Sequence, residues 1–573
     1  MHPSPPRSLR TRLLAAARAW AWSWAGRFSF VGLIVAAVFF SASVTPSLLP
    51  RSAATQGLLS GFAAAAGYGL GVLGAWLYGW LGFRPLSGRA GVAFHRTAVA
   101  AAALVFAASQ WRMTFWQNDL RALVGMDPLE SAAPWTNALI AAATAAALVT
   151  LGRGIGLAVG FTSRRLQRVV PRRVAGALAA VVVGLLVLFL ANGVIGRGLH
   201  AAADAVFVEL NARQDPDFPA PTASPAPGVA PLGGPGSHVD WQTLGRLGRA
   251  FVAGGPTAGE IASVTGRPAV PPLRVYAGLR PDQTAEERAA LALAELRRLG
   301  GFGRRVLVVA TPTGTGWLDP GGVDSVEILH GGDTAIVATQ YSYLPSWMTL
   351  LVAPEEPVDS ARALFDAVYG HWTTLPADGR PELYLHGLSL GALGGGASVD
   401  LPTIFEDPID GALWVGTPFP AARWRELTAR RNPGSPAWLP EVRDGRLVRF
   451  ATPQRPVDPD RPWGPVRTVY LQHASDPMVF FSPDLFWHRP DWLGDAGEAR
   501  GPDVSGFLRW FPVVTGLQLA FDLPRATAVP FGHGHNYAAV DYLDGWIAVT
   551  QPEDWTAADT ERVKRRFEAA ERE

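Results

Sequence analysis

Chemistry enters this chain at Ser389, in the stretch PELYLHGLSLGALGGG. The serine is centred in Gly387-Leu388-Ser389-Leu390-Gly391, a G-x-S-x-G pattern. An apolar run, Leu383 to Leu385, leads into it, and small residues follow at Gly391, Ala392 and Gly394. That pattern predicts a strand, a sharp turn and a helix, with the hydroxyl presented at the carboxyl edge of a parallel sheet. Such a turn forces unusual backbone angles, so its flanking positions must be small. A serine hydroxyl is a poor nucleophile at neutral pH. It needs an imidazole base, itself oriented by a carboxylate.

In a strand–turn–helix setting the chain order is serine, acid, histidine. Asp476 stands directly after the apolar run Val469–His473, in RTVYLQHASDPMVFF, and is the candidate acid. Asp400, Asp407 and Asp410 follow the serine helix too soon, and Asp484 and Asp491 are less well placed. Two histidines, His533 and His535, lie in ATAVPFGHGHNYAAVDYLDGWIAV. His535 is favoured as base because it directly precedes a segment that turns helical. His533 remains the alternative, or a residue that holds the loop. The pair is not read as a metal site, since no further ligand cluster at metal spacing joins it. No metal or organic cofactor is therefore expected. His386 and His473 are read as structural.

A developing oxyanion requires two backbone N–H donors. Leu390, next after the nucleophile, is one. Thr313 or Gly314, in the loop of VLVVATPTGTGWLDP, is the other. The segment TQYSYLPSW places Tyr341, Tyr343 and Trp347 as the lining of an apolar acyl or alcohol pocket.

Residues 239–573 read as the unit that holds these groups. Short apolar runs predict strands at 273–277, 305–311, 334–339, 382–385, 411–415, 446–451 and 467–473. Amphipathic segments alternate with them, as at 284–299, where Thr284 and Glu287 form a capping box. A late helix is expected over 504–519, kinked or split by Pro512. Strand–helix alternation implies a doubly wound, mostly parallel sheet.

The first 213 residues read differently. Mean hydropathy of the chain is +0.14, and its apolar excess lies here. Five stretches, 28–49, 58–81, 97–116, 135–151 and 174–195, predict a helical membrane domain of about five spans. Arginines alternate between its connections. Arg7, Arg10, Arg12, Arg18 and Arg27 precede the first span. Arg84, Arg89 and Arg96 follow the second, and Arg153, Arg164, Arg165, Arg168, Arg172 and Arg173 follow the fourth. The other connections carry only Arg51, or Arg112 and Arg121 beside acidic residues. This bias predicts a cytoplasmic N-terminus and an extracytoplasmic unit after residue 195. Tryptophans flank the spans, as Trp20, Trp22 and Trp24 do the first, where an interfacial belt belongs. Residues 214–238, rich in Pro, Ala and Gly, read as an extended spacer. The chain has 573 residues, no cysteine and a net charge of +2, with Lys564 its only lysine. Disulfides and thiol chemistry are excluded, and nothing points to nucleic acid.

Taken in order, PPLRVYAGL, TPTGTGWLDP, QYSYLPSW, HGLSLGALGG, HASDPMVFF and GHGHNY resemble the bacterial membrane-anchored α/β-hydrolase family, which joins a hydrophobic N-terminal region to a serine-hydrolase domain. The resemblance implies an α/β-hydrolase domain after the membrane domain, with Ser389, Asp476 and a His533 or His535 base. It supplies no substrate. The expected function is hydrolysis of carboxylic, lipid-like esters outside the cytoplasm of a bacterial inner membrane, with the lipid bilayer and a small ester molecule as partners. Acyl transfer to an alcohol by the same residues is the alternative, as is an inactive binding or scaffold protein.

Overall fold

The computed structural model describes residues 28–573 except 85, 191–197, 199–206, 214–217, 223, 225–227, 400–406, 459–460, 495–499 and 573. The expected segment from Arg7 to Arg27, its tryptophans, and the end of the expected fifth span lie outside the described residues.

Seven strands form one sheet in the order β1-β3-β2-β4-β5-β7-β6. They are β1 (Leu273–Ala277), β2 (Val306–Thr311), β3 (Thr334–Thr339), β4 (Glu382–Leu388), β5 (Gly411–Val415), β6 (Val448–Ala451) and β7 (Arg467–Leu471). Every pairing between them is parallel. The strands are near-continuous apolar runs, and β1, β2 and β3 are buried at every position, as a sheet covered on both faces requires. Helices from 285 onward supply the cover: α6 (Ala285–Arg298), α7 (Pro320–Leu329), α8 (Glu356–Trp372), α9 (Leu390–Ser398), α10 (Val514–Asp522), α11 (Ala539–Thr550) and α12 (Ala557–Ala570). The expected capping box starts α6, with the Thr284 hydroxyl accepting from Glu287 N and the Glu287 carboxylate accepting from Thr284 N. The late helix is shorter than expected. Residues before Val514 are turns, and the helix begins only beyond Pro512.

From β2 the chain crosses to β3 on one side, and β4 lies on the other. This reversal is a topological switch point, where a crevice opens beyond the carboxyl ends of the strands. Thr311 at the end of β2 pairs in register with Gly387 of β4. The loop expected to hold oxyanion donors and the serine turn therefore emerge side by side.

Upstream lie α1 (Phe30–Ser43), α2 (Ala53–Trp80), α3 (Gly88–Leu123), α4 (Pro134–Leu166) and α5 (Arg172–Leu188). Among the described residues three helices, α2, α3 and α4, are long and apolar enough to cross a membrane, not about five. The first expected span is cut to 14 residues, α1, against the roughly 20 a crossing needs. Ser41, Ser43 and Thr45 turn their hydroxyls back onto carbonyls three or four residues earlier, and Pro46 follows. The fifth, α5, has 17 residues. The fourth, which looked short, runs 33 residues through its glycines.

Small residues let these helices touch. A Cβ on Gly61 would lie 2.5 Å from Thr144 of α4, and one on Gly71 would lie 2.7 Å from the Gly32 backbone of α1. Such close backbone approach is how helices associate in lipid, where burial from water offers no drive. The contacts Gly57–Ile140 and Gly61–Thr144 make α2 and α4 parallel, whereas Gly71–Gly32 and Ser60–Ser43 make α1 and α2 antiparallel.

The two halves are joined by packing. Leu48, Leu49 and Val124, from the connections after α1 and α3, belong to the same core as the sheet. Phe62 of α2 meets Phe521 of α10 edge-on at 5.5 Å, and Phe115 of α3 meets Phe507 at 5.2 Å. The described part of the Pro/Ala/Gly stretch is not a free spacer. Leu232 is buried in that core, and the Ser237 hydroxyl and His238 N donate to the Glu295 carboxylate of α6. Its few apolar side chains and turn hydroxyls suffice because α6 offers a ready surface.

Candidate active site

Ser389 joins β4 to α9 at φ 57° and ψ −123°, one of few non-glycine residues at positive φ. Its N–H donates to Val415 O at 2.9 Å, tying the turn to β5. The flanking glycines are sterically required. A Cβ on Gly387 would lie 2.3 Å from the Gly391 carbonyl carbon, and one on Gly391 would lie 2.0 Å from Thr311 O. The β2 loop thus sits against the first turn of α9. Gly391→Ala should push these backbones apart and cost about 1–3 kcal/mol. The check is a lowered thermal midpoint together with slower labelling of Ser389 by a fluorophosphonate probe.

Asp476, fully buried, caps the short turn after β7. Its Oδ1 accepts from Met478 N at 2.8 Å. Its Oδ2 lies 2.7 Å from His535 Nδ1 and accepts from the Tyr537 hydroxyl at 2.8 Å. A carboxylate in this position holds the Nδ1–H tautomer, which leaves Nε2 as the basic atom. His535 Nε2 and Ser389 Oγ are both buried and neither has a hydrogen-bond partner among the described residues. Both residues line one cavity of 430 Å³. The structure therefore brings Ser389, Asp476 and His535 together.

His533 is not with them. It is half-buried and does not line that cavity. Burial pushes its imidazole pKa down, with Asp503 opposing. Asp503 itself accepts from Ser475 N and Oγ, and Ser475 Oγ accepts from Gly534 N, so this second cluster braces the loop between the histidines. His473 lies just past β7 rather than in it, bonds Gly534 O at 2.8 Å and stacks on Tyr537 at 4.2 Å. His386, in β4, bonds Leu413 O at 2.9 Å beneath the serine.

Burial pushes the His386 pKa down from 6.5 to about 4, and burial lowers that of His473 as well. An unfolded chain binds these protons where the folded chain does not. Stability contributed here is complete above the unfolded value and is lost as pH falls toward the folded value. The thermal midpoint should therefore drop between pH 6.5 and 4. His386→Gln should flatten that part of the profile, read by unfolding in detergent at graded pH.

Leu390 N–H is the first of α9 and has no acceptor within the helix. The two candidates for the second oxyanion donor are engaged. Thr313 N donates to Trp317 O at 2.9 Å, and Gly314 N to the Ser346 hydroxyl at 3.1 Å. Thr313 lines the cavity and Gly314 does not, so the second donor is not fixed between them. Of the three aromatics expected to line the pocket, Trp347 does. Tyr341 and Tyr343 do not line it. Their hydroxyls donate to Pro312 O and Leu279 O and hold neighbouring loops.

Two parts of the cavity escaped sequence reasoning. One is Asp319, the N-cap of α7, which accepts from Gly321 N and from the Tyr542 hydroxyl. Burial pushes its pKa up to about 7. The Asp-Pro-Gly step at 319–321 carried its capping role but not its place at the serine. The other is a wall formed by Leu523, Pro524, Ala526 and Thr527, for which no local signal exists.

A family model described as "Alpha/beta-hydrolase family" matches residues 273–563, from β1 into α12, and so takes in Ser389, Asp476 and both histidines. A second, "Alpha/beta-hydrolase family N-terminus", matches residues 44–256, the helices together with the Pro/Ala/Gly stretch. No curated protein and no solved structure matches the chain. The first match alone spans about half of the 573 residues, on a parallel sheet with its serine turn at the switch point: the chain belongs to the alpha/beta-hydrolase family.

Proposed function

We propose that this protein is a membrane-anchored serine hydrolase of carboxylic, lipid-like esters, with Ser389 as nucleophile, His535 as general base and Asp476 as its orienting acid. The observation that carries the reading is one cavity holding an unpartnered Ser389 hydroxyl and an unpartnered His535 Nε2, whose other ring nitrogen is held by Asp476. Ser389 Oγ attacks the acyl carbon and His535 Nε2 takes its proton. The Leu390 N–H, with a second donor from the Thr313–Gly314 loop, stabilises the oxyanion. His535 then protonates the leaving alcohol, Asp476 stabilises the imidazolium, and water activated by the same histidine releases the acid. Family membership supports hydrolysis as the reaction class. Apolar walls at Trp347, Leu523 and Pro524 favour an acyl chain.

With fewer spans than expected, orientation follows from which end of the bundle meets the sheet. The connections at 44–52 and 124–133 face the α/β unit, and the basic ones, around Arg84 and Arg168, lie at the opposite ends of α2, α3 and α4. Cytoplasmic retention of arginine supports a site outside the cytoplasm, at a bacterial inner membrane.

Fluorophosphonate labelling of the full chain, followed by product analysis on a panel of acyl esters with and without glycerol, tests the reaction. Free acid is expected. Acyl-glycerol as the main product would establish transfer, and an unlabelled folded protein would leave a binding role. The absence of native cysteines makes the topology testable. Pro235→Cys should react with a membrane-impermeant maleimide in spheroplasts, and Gln167→Cys only after permeabilisation. The reverse pattern would invert the orientation.

A further inference from the structure

The cavity wall at 523–527 directly continues α10, and α10 is gripped by the membrane domain. Arg51, in the connection between α1 and α2, is buried and its guanidinium is fully engaged. Nε donates to Asp522 Oδ1 at 2.9 Å, and Nη2 donates to Gln518 O at 2.9 Å and to Ser47 Oγ at 2.5 Å. Nη1 reaches Gln56 Oε1 at 3.3 Å, and Arg51 N donates to Gln117 Oε1 at 2.8 Å. Gln518 returns the grip by donating to Thr45 O at 2.8 Å. Asp522 is fully buried and is the last residue of α10. Four residues later, Ala526 O accepts the His535 N–H at 2.8 Å. The space beside Gly534 is closed by Ala526 and by Leu49, whose Cδ2 would lie 3.2 Å from a Cβ there. At its other end α10 starts from Val513, a β-branched residue at φ 65° whose neighbour closes a three-residue turn, Val514 N to Pro512 O at 2.7 Å. A β-branched residue adopts positive φ only where its surroundings compel it. The helix is thus clamped at both ends.

We infer that Arg51 is a positioning residue for His535, acting through Asp522 and the 523–527 wall, so that the membrane domain completes the active site rather than only anchoring it. The inference rests on the serine-hydrolase reading above. Loss of the clamp frees the carbonyl that fixes the histidine backbone. Displacement of a base by about 1 Å costs on the order of 100-fold in rate.

The test uses the full-length chain in detergent, a p-nitrophenyl acyl ester and a fluorophosphonate probe. Arg51→Gln and Asp522→Asn should each lower kcat and the labelling rate about 10- to 100-fold. KM should rise as well, because Leu523 and Pro524 belong to the acyl wall, so kcat per labelled site and the labelling rate carry the test. The double variant should be no slower than the worse single one, and Arg51→Lys should recover part of the rate. A fold defect alone would lower the yield of active protein and leave kcat per labelled site untouched. Should either charge variant not fold, Leu49→Ala carries the test, since it keeps the ion pair and removes the contact beside Gly534. It should cost about 3- to 10-fold in kcat. Folded variants with wild-type kcat overturn the inference while the serine reading stands. Wild-type protein that resists the probe removes both.

Discussion

Ser389→Ala should lower ester turnover by about 10⁵- to 10⁶-fold and abolish fluorophosphonate labelling, with the fold intact. The loss is large because no other buried hydroxyl in the cavity occupies a positive-φ turn next to the first N–H of a helix. Residual activity of the order of 10³ over water would reflect the Leu390 donor and binding alone. The same position should show that its geometry serves reactivity rather than stability. A non-glycine residue held at φ 57° carries about 1–3 kcal/mol of strain. Ser389→Gly, although inactive, should therefore melt at a higher temperature than Ser389→Ala, whose Cβ keeps the clash. Equal labelling of wild type and Ser389→Ala would end the assignment.

The two histidines give the second large contrast. His535→Ala should cost about 10⁴-fold or more in kcat, because it removes both the proton acceptor and the partner of Asp476. His533→Ala should cost less than about tenfold, since its neighbours are Asp503 and the loop rather than the serine. Asp476→Asn should fall by about 10⁴-fold even though its contacts with Met478 N and Tyr537 can persist. An amide offers its N–H₂ to the ring and so favours the tautomer that leaves Nε2 protonated. The measurement is kcat at one pH for all three variants, with labelling rate as a second readout. A larger loss at His533 than at His535 would exchange their roles.

Much of the α/β unit was legible because its signals are local. Each strand is a buried apolar run bounded by turn residues, and the capping box of α6 spans only four residues. The serine turn announced itself through glycines that no other residue type could replace. The apolar helices were less legible. Apolar length was read correctly for α2 and α3, but α1 ends at Ser43, three residues before Pro46, whose ring cannot continue a helix, and a run of glycines did not break α4. The aromatic pocket was misassigned at Tyr341 and Tyr343 because composition does not reveal which carbonyl a phenol will reach.

The amino-acid sequence by itself determined the strand succession and the presence of an apolar helical half, and it singled out Ser389 and Asp476 as candidates, because each is written within a few neighbouring residues. Tertiary structure alone separated His535 from His533, which differ by two positions and share a residue type, by placing only His535 in the cavity with Ser389. The placement of Asp476 beside that ring distinguishes them as well. It alone also joined Arg51 to Asp522, 471 positions apart, and carried the N-terminal helical half to the edge of the cavity. Such pairings depend on how packed elements meet across the core, and no local propensity encodes that.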